Sequence, residues 1–158
     1  MHTVYLSLGA NLGDRSLNLL KAIALIAGRT GTLSAVSSVY ETPAWGFDSE
    51  NDFLNIAVCV ETGLSPLEIL SATQVIEKEI GRSEKTQDVY RDRLIDIDLI
   101  LFDKLILQSK DLTLPHPLFH LRPFVLEPLC EIAPDVVHPV LQKTVKELLA
   151  ELLTKKPS

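Results

Sequence analysis

The sequence is poor in cysteine. It has two in 158 residues, Cys59 and Cys130, both in apolar surroundings, with no CxxC pair. A disulfide framework is excluded, and both are expected as buried free thiols. Long hydrophobic runs are also missing. No apolar stretch approaches the ~18–20 residues of a membrane span, and no signal-peptide pattern precedes the first strand-like segment. A reducing, cytoplasmic setting with no membrane partner is expected. Excess positive charge is absent too: 15 Lys and Arg stand against 21 Asp and Glu, a formal charge of −6. A general nucleic-acid binder carries a basic face, so no nucleic-acid partner is expected. A small anionic ligand is compatible with that charge, because it responds only to a local cluster of Arg and Lys. Neither the GK[ST] of a P-loop nor the GxGxxG of a dinucleotide fold occurs. There is no internal repeat, low-complexity tract or linker. With 46% apolar and 23% charged residues, the chain reads as one soluble globular domain over residues 1–158.

What is present centres on the stretch 93–102, RLIDIDLILF. Its β-branched and large apolar residues make it a strand. Side chains alternate faces along a strand, so Asp96 and Asp98 share one face, their Cα atoms roughly 6.5 Å apart. Ile95, Ile97, Leu99 and Leu101 are expected on the other. Two carboxylates side by side repel, and burying them is costly. Two readings follow: a Mg²⁺ site completed by phosphate oxygens, or an edge strand with a solvated acidic face.

The flanking chain supplies the context. Residues 3–8 form a short strand, and residues 9–14 a turn. Asp14 or Ser16 then caps a helix whose apolar positions are Leu17, Leu20, Ile23, Ala24 and Ala27, with Gly28 and Gly31 ending it. Residues 33–42 read as a second strand, and residues 43–52 as a long loop holding the sole tryptophan, Trp45. Residues 53–62 are a third strand, apolar enough to be buried on both faces and interrupted by Asn55. That amide bonds either loop backbone or a ligand's amide-like edge. Ser65-Pro66-Leu67-Glu68 carries the signals of a capping box. Its helix runs to Gly81, with Gln74 and Glu77 on one face. Residues 82–93 form a polar loop with Arg82, Lys85, Arg91 and Arg93. Cations beside paired acids fit a polyphosphate–metal complex. After Phe102 a tight turn at Asp103-Lys104 lets residues 105–107 pair back as a hairpin. His116 sits between Pro115 and Pro117, near Arg122, as a candidate anion ligand. Residues 119–130 look helical, and residues 145–154 form a final amphipathic helix. The order β-α-β-β-α-β gives an α+β, ferredoxin-like split βαβ core. An added hairpin strand and C-terminal helices extend it, and helices cover the sheet.

The motifs also carry a resemblance. Arg93-x-x-Asp96-Ile-Asp98-Leu-Ile is similar to the signature of the 6-hydroxymethyl-7,8-dihydropterin pyrophosphokinases of folate biosynthesis. Gly9-x-Asn11-Leu, Tyr40-x-Thr42-Pro43, Phe53-Leu-Asn55, Gln74-x-x-Glu77, Gly81-Arg82, Leu114-Pro-His116 and Arg122-x-Phe124 match in order along nearly the whole chain. The resemblance implies transfer of pyrophosphate from ATP to the pterin hydroxymethyl group, releasing AMP. It implies two Mg²⁺ ions on Asp96 and Asp98, with ATP as co-substrate. Catalytic roles fall to Arg82, Arg93, Asp96 and Asp98. Gln74, Glu77, Arg82, Lys85, Arg93, Thr113, His116 and Arg122 would form the ATP site. The pterin would stack between Phe53 and Phe124, bonded by Asn55 and bordered by Thr42, Pro43, Ala44 and Trp45. Arg91 and Asp92 stand where relatives have small residues or proline, Glu84 where some have a base, and Pro117 where Tyr is frequent.

Two other readings stay open on the residues alone. One is a Mg²⁺-dependent nucleotidyl- or phosphotransferase with a different acceptor. The other is a non-catalytic ferredoxin-like ligand-binding module, which has no need of an Asp-x-Asp pair beside a basic loop. Nothing in the sequence calls for more than a monomer.

Overall fold

The computed structural model describes residues 1–43, 52–81 and 94–154. Its elements are β1 (His2–Ala10), α1 (Arg15–Arg29), β2 (Thr32–Val36), β3 (Tyr40–Thr42), β4 (Phe53–Thr62), α2 (Pro66–Gly81), β5 (Asp96–Phe102), β6 (Leu107–Gln108), β7 (Thr113–Leu114), a 3₁₀ turn (Phe119–Leu121), α3 (Pro123–Ile132) and α4 (Val145–Thr154). The main sheet runs β2-β4-β1-β5, with β3 beside β4. Every pairing is antiparallel. This is the expected ferredoxin-like βαββαβ order, with β1 as a central strand. Among the described residues no helix is long and apolar enough to cross a membrane.

Alternation along β1 and β4 divides the interior in two. Val4, Leu6 and Leu8 with Ile56, Val58 and Val60 face α1 and α2, where Leu19, Ala22, Ile26, Ile69 and Ile76 meet them. On the opposite face Ala57, Tyr5 and Leu101 meet Phe119, Val125, Leu126 and Leu129 of the C-terminal region. Gly9, Asn55 and Asp96 share that face of the sheet beyond this cluster of described residues.

Local signals explain the helices. Asp14 is the cap of α1, its carboxylate accepting the Leu17 N–H at 3.1 Å. Ser65 and Glu68 complete the capping box reciprocally: the Ser65 N–H donates to Glu68 at 2.8 Å and the Glu68 N–H to Ser65 Oγ at 3.2 Å. The helix passes through Gly28 and ends at Arg29, capped by Thr30. Gly31 serves another purpose, since a Cβ there would run into the Glu61 carbonyl oxygen.

Several expectations need correcting. The face of α1 is out of phase: Leu17 and Leu20 are 44% and 63% exposed, Ala24 and Ala27 are exposed, and Leu19, Ala22 and Ile26 are buried instead. Both sets have helical spacing. The phase is set by the Asp14 cap and by the Asn18 amide, which donates to the Leu12 carbonyl at 3.2 Å. The second strand is two strands. At Ser37 the backbone N–H still donates to the Ala57 carbonyl, but the side-chain Oγ accepts the Ala57 N–H, each at 2.9 Å. A hydroxyl thus stands in for a ladder carbonyl and the strand breaks.

Leu101 lies with the second core, not with Ile97 and Leu99. Tyr5 pairs with Leu101 while Leu6 pairs with Leu99, so Ile100 is an extra residue in a β-bulge. Residues 105–107 do not pair back on β5; β6 pairs with β7. The outer edge of β5 is already occupied: the Ile97 N–H donates to Glu77 and the Ile100 carbonyl accepts the His116 N–H. The turn itself forms, with Asp103 at φ 51°. Both cysteines are free, Cys59 buried and Cys130 only partly so.

His138 is buried, and its Nδ1 accepts the N–H groups of Val140 and Leu141 at 3.2 and 3.0 Å. Burial, then the neighbouring His120, holds its imidazole below the usual histidine range. The unfolded chain therefore takes up the proton first as pH falls, and stability drops below about pH 6.5. His116, held down to about 4 mainly by burial, acts with the same sign. Thermal unfolding midpoints measured from about pH 7.5 to 5.5 should fall. They should fall less in His138→Asn, whose amide oxygen keeps an acceptor without titrating. Equal slopes would show that His138 is not a titrating group of this window.

Candidate active site

The site begins as one row across the sheet. Tyr40 pairs with Asn55, Asn55 with Gly9, and Gly9 with Asp96. One step along, Ala57 pairs with Ser7 and Ser7 with Asp98. Adjacent strands lie about 4.8 Å apart, so the Asn55 and Asp96 backbones stand about 10 Å apart with Gly9 between them. Gly9 keeps that space open: a Cβ would make tight contacts, 3.3 Å to both Asn55 Oδ1 and the Phe53 ring. The row is thus a flat floor, with an amide and an aromatic ring at one end and two carboxylates at the other.

Asn55 is 3% exposed. Its amide nitrogen donates to Thr42 Oγ1 at 2.7 Å and to the Tyr40 carbonyl at 3.4 Å. Both described bonds use the donor side and hold the amide against β3. Thr42 is opposite Phe53 in the ladder, and Pro43 is exposed just beyond. Phe124 belongs to the first turn of α3, and the Arg122 guanidinium lies 5.8 Å from its ring centroid, a cation–π contact.

Asp96 and Asp98 are half-buried on one face of β5. Among the described residues no group of three or more metal-ligating side chains occurs. Two hard carboxylates suit Mg²⁺, which keeps octahedral oxygen coordination and takes the rest of its shell from phosphates and water. The residues present fit that ion.

The outer edge of β5 carries two further residues of the expected nucleotide site. Glu77 Oε2 accepts the Ile97 N–H at 2.7 Å, fixing the strand between its two aspartates. Gln74 is exposed one turn earlier. The His116 N–H donates to the Ile100 carbonyl at 2.9 Å, so the bulge carbonyl anchors the histidine. His116 Nδ1 accepts the Leu118 N–H at 3.3 Å, which leaves the neutral ring's proton on Nε2. Burial above all, then the Arg122 charge, lowers its pKa to about 4, against the opposing pull of Asp96. His116 is therefore a neutral N–H donor near neutral pH. Thr113 is half-buried in β7. Arg82, Lys85, Arg93, Ala44 and Trp45 lie outside the described residues.

The sequence reading missed four contributors. Gly9 looked like part of a turn but is floor. Ser7 stands opposite Asp98. Arg15 donates to Glu41 at 3.1 Å and to the Asp52 carbonyl at 2.9 Å, tying β3 to the approach of β4. Glu131 binds Ser38 and Tyr40. Strand register was the signal for the first two, and it is not visible before pairing is known.

The chain is similar to known proteins along most of its length. Residues 5–134 match the family model described as 7,8-dihydro-6-hydroxymethylpterin-pyrophosphokinase (HPPK). The 2-amino-4-hydroxy-6-hydroxymethyldihydropteridine pyrophosphokinase of Aquifex aeolicus is 41% identical over 151 residues, covering 96% of this chain and 92% of that protein. The enzyme of the same name from Porphyromonas gingivalis is 47% identical over 138 residues, 85% of this chain and 92% of that one. Among solved structures, wild-type HPPK-DHPS of Plasmodium falciparum with pterin and p-hydroxybenzoate matches with a TM-score of 0.77 at 16% identity. That match covers 98% of this chain but 43% of the larger protein, and it shows the fold alone.

Replacing Glu77 tests the strand anchor independently of any ligand. Glu77→Ala should cost about 1 kcal/mol of stability and speed amide exchange at Ile97 more than at Leu99. Unchanged protection at Ile97 would show that the carboxylate does not hold the strand.

Proposed function

The chain belongs to the 7,8-dihydro-6-hydroxymethylpterin pyrophosphokinase family, and from that membership we propose how its residues divide the work. It transfers a pyrophosphoryl group from ATP to the hydroxymethyl group of 6-hydroxymethyl-7,8-dihydropterin in folate synthesis. The pterin hydroxyl oxygen bonds to the β-phosphorus of ATP, the bond from that phosphorus to the α-phosphate oxygen breaks, and AMP leaves.

The Asn55–Gly9–Asp96 row is the observation that supports the division. A pterin is a flat heterocycle with an amide-like edge. Laid on the floor at Gly9, it meets the Asn55 amide at one end and directs its hydroxymethyl group toward Asp96 and Asp98. Phe53 and Phe124 stack on its faces. Thr42 holds the Asn55 amide in place and, with Pro43, Ala44 and Trp45, borders the pocket.

ATP takes the side of β5. Asp96 and Asp98 would hold two Mg²⁺ ions, which when bound neutralise phosphate charge and align the attacking and leaving oxygens. His116 donates its Nε2–H to a phosphate oxygen, giving direction without a permanent charge. Arg122, with Arg82, Lys85 and Arg93, supplies the cations for the remaining phosphate oxygens. Gln74, Glu77 and Thr113 flank the nucleoside. The form proposed is a cytoplasmic monomer, in which one chain contributes both substrate sites.

Incubating the protein with ATP and Mg²⁺, with and without the pterin, tests the reaction. AMP should form only when the pterin is present; ADP or free pyrophosphate instead would identify another transfer. Asp96→Ala and Asp98→Ala should each lower turnover by roughly 100- to 1,000-fold or more while leaving pterin affinity measurable. Full activity in either would remove the metal assignment. Phe124→Ala should weaken pterin binding by about 1 kcal/mol or more, read by direct titration. Unchanged affinity would take Phe124 out of the pocket.

A further inference from the structure

The two walls of the pterin pocket belong to different layers. Thr42, Phe53 and Asn55 stand on β3 and β4, whereas Phe124 stands at the start of α3. β3 is three residues long and, among the described residues, pairs with β4. A strand that short is weakly fixed by its own ladder. Arg15 of α1 reaches Glu41 at its exposed side, and the attachment to the C-terminal layer is a single side chain of α3. Glu131 accepts the Ser38 N–H through both carboxylate oxygens at 3.1 Å, the Ser38 hydroxyl at 3.1 Å and the Tyr40 phenol at 2.7 Å.

Position along the helix adds to this. Phe124 and Glu131 are seven residues apart, two turns or about 10 Å along the axis and on nearly the same face. One end of that face therefore carries the ring and the other the carboxylate. Glu131 is in the last turn of α3, where the helix dipole disfavours an anion. Helix energetics do not account for an acid there; its four hydrogen bonds to Ser38 and Tyr40 do. Tyr40 is in turn the residue opposite Asn55, and its carbonyl accepts from the Asn55 amide. The path from Glu131 to the pterin-facing amide has two steps.

We infer that Glu131 is a positioning residue for the pterin pocket: by bracing Ser38 and Tyr40 against α3, it sets the spacing between the Asn55 wall and the Phe124 wall. The inference rests on the assignment of those walls made above. The phenol of Tyr40, raised to about 12 chiefly by its bond to Glu131, and the Glu131 carboxyl, lowered chiefly by the same bond, agree with an interaction formed with the acid ionised. Glu127, one turn earlier, adds negative charge near Tyr40 but is not bonded to it in the described contacts.

The test compares Kd for the pterin and for Mg²⁺ with a non-hydrolysable ATP analogue in the full-length protein. Glu131→Ala should raise the pterin Kd about tenfold and leave the nucleotide Kd within about twofold. Glu131→Gln, which keeps an acceptor oxygen, should recover most of the loss. Tyr40→Phe, which removes one oxygen and is mild enough to fold if Glu131→Ala is not, should raise the pterin Kd by a smaller factor. Equal weakening of both ligands would overturn the inference and leave Glu131 as a general stabiliser. Unchanged pterin affinity in both Glu131→Ala and Tyr40→Phe would also overturn it, provided Asn55→Ala and Phe124→Ala do weaken the pterin. If Asn55→Ala and Phe124→Ala are silent too, the pocket assignment falls and the bracket falls with it.

Discussion

The antiparallel embrace of β1 by β4 and β5 is the constraint on which the rest depends. Its register places Gly9 between Asn55 and Asp96, and Ser7 between Ala57 and Asp98. A slip of one residue on either side would move every side chain to the opposite face. Asn55 would then point into the packed face under α1 and α2, and the aspartates would enter the apolar layer formed by Leu6 and Leu8. The register is protected by the cost of that inversion. Val4, Leu6, Leu8, Val58 and Val60 are each about fully buried, and exposing any one of them costs roughly 1.5–3 kcal/mol. The apolar side of the sheet thus fixes the chemistry of its polar side.

The edge strand β5 shows how an irregularity is put to use. A bulge at Ile100 returns Leu101 to the second core while Asp96 and Asp98 stay in phase with Ser7 and Gly9. Without the extra residue one strand could not both hold the two acids on the open end of the sheet and present its C-terminal half to the helices with Phe102 under α1 and α2. The bulge carbonyl then accepts the His116 N–H. Glu77 meets the same edge from the helix side. An unpaired strand edge is a site for unwanted pairing; here two of its backbone groups are committed to Glu77 and His116.

Much of this was legible in the sequence. The Asp96/Asp98 alternation, the bounds of β4 and the capping box at Ser65 depend on neighbours along the chain, and such signals survive without knowledge of the partner strand. The phase of α1 did not. Leu17 and Leu20 are spaced as well as Leu19, Ala22 and Ile26, and the Asp14 cap, the Asn18 bond to Leu12 and docking on the sheet separate the two sets. The break at Ser37 was hidden because a serine hydroxyl in place of a ladder group looks like any polar residue in a strand. Leu101 was misplaced because strict alternation assumes an unbroken register. Asn55 and His116 stood out from their setting in the chain and Phe124 through motif resemblance, whereas the cross-strand partners of Gly9 and the cross-layer partners of Glu131 follow no spacing rule.

An acidic chain that binds ATP needs an electrostatic account. The formal charge of −6 would oppose a polyphosphate if it were spread over the site. Several of the acids are instead held as acceptors of N–H and O–H groups. Glu68 and Glu147 receive the N–H of Ser65 and Thr144 at helix starts, Glu77 receives that of Ile97, and Glu131 receives Ser38 and Tyr40. Each of these anions is directed at donors within the protein. Asp96 and Asp98 share one face of β5 at the end of the floor, and a divalent ion held there would reverse the sign of the field. Net charge therefore says little about a phosphate site, because the sign that an anionic ligand meets is set over a few ångströms by the groups nearest to it. Glu77 and Glu131 both reach from helix to strand, and each uses its charge to fix neighbouring strand residues relative to the helix that carries it.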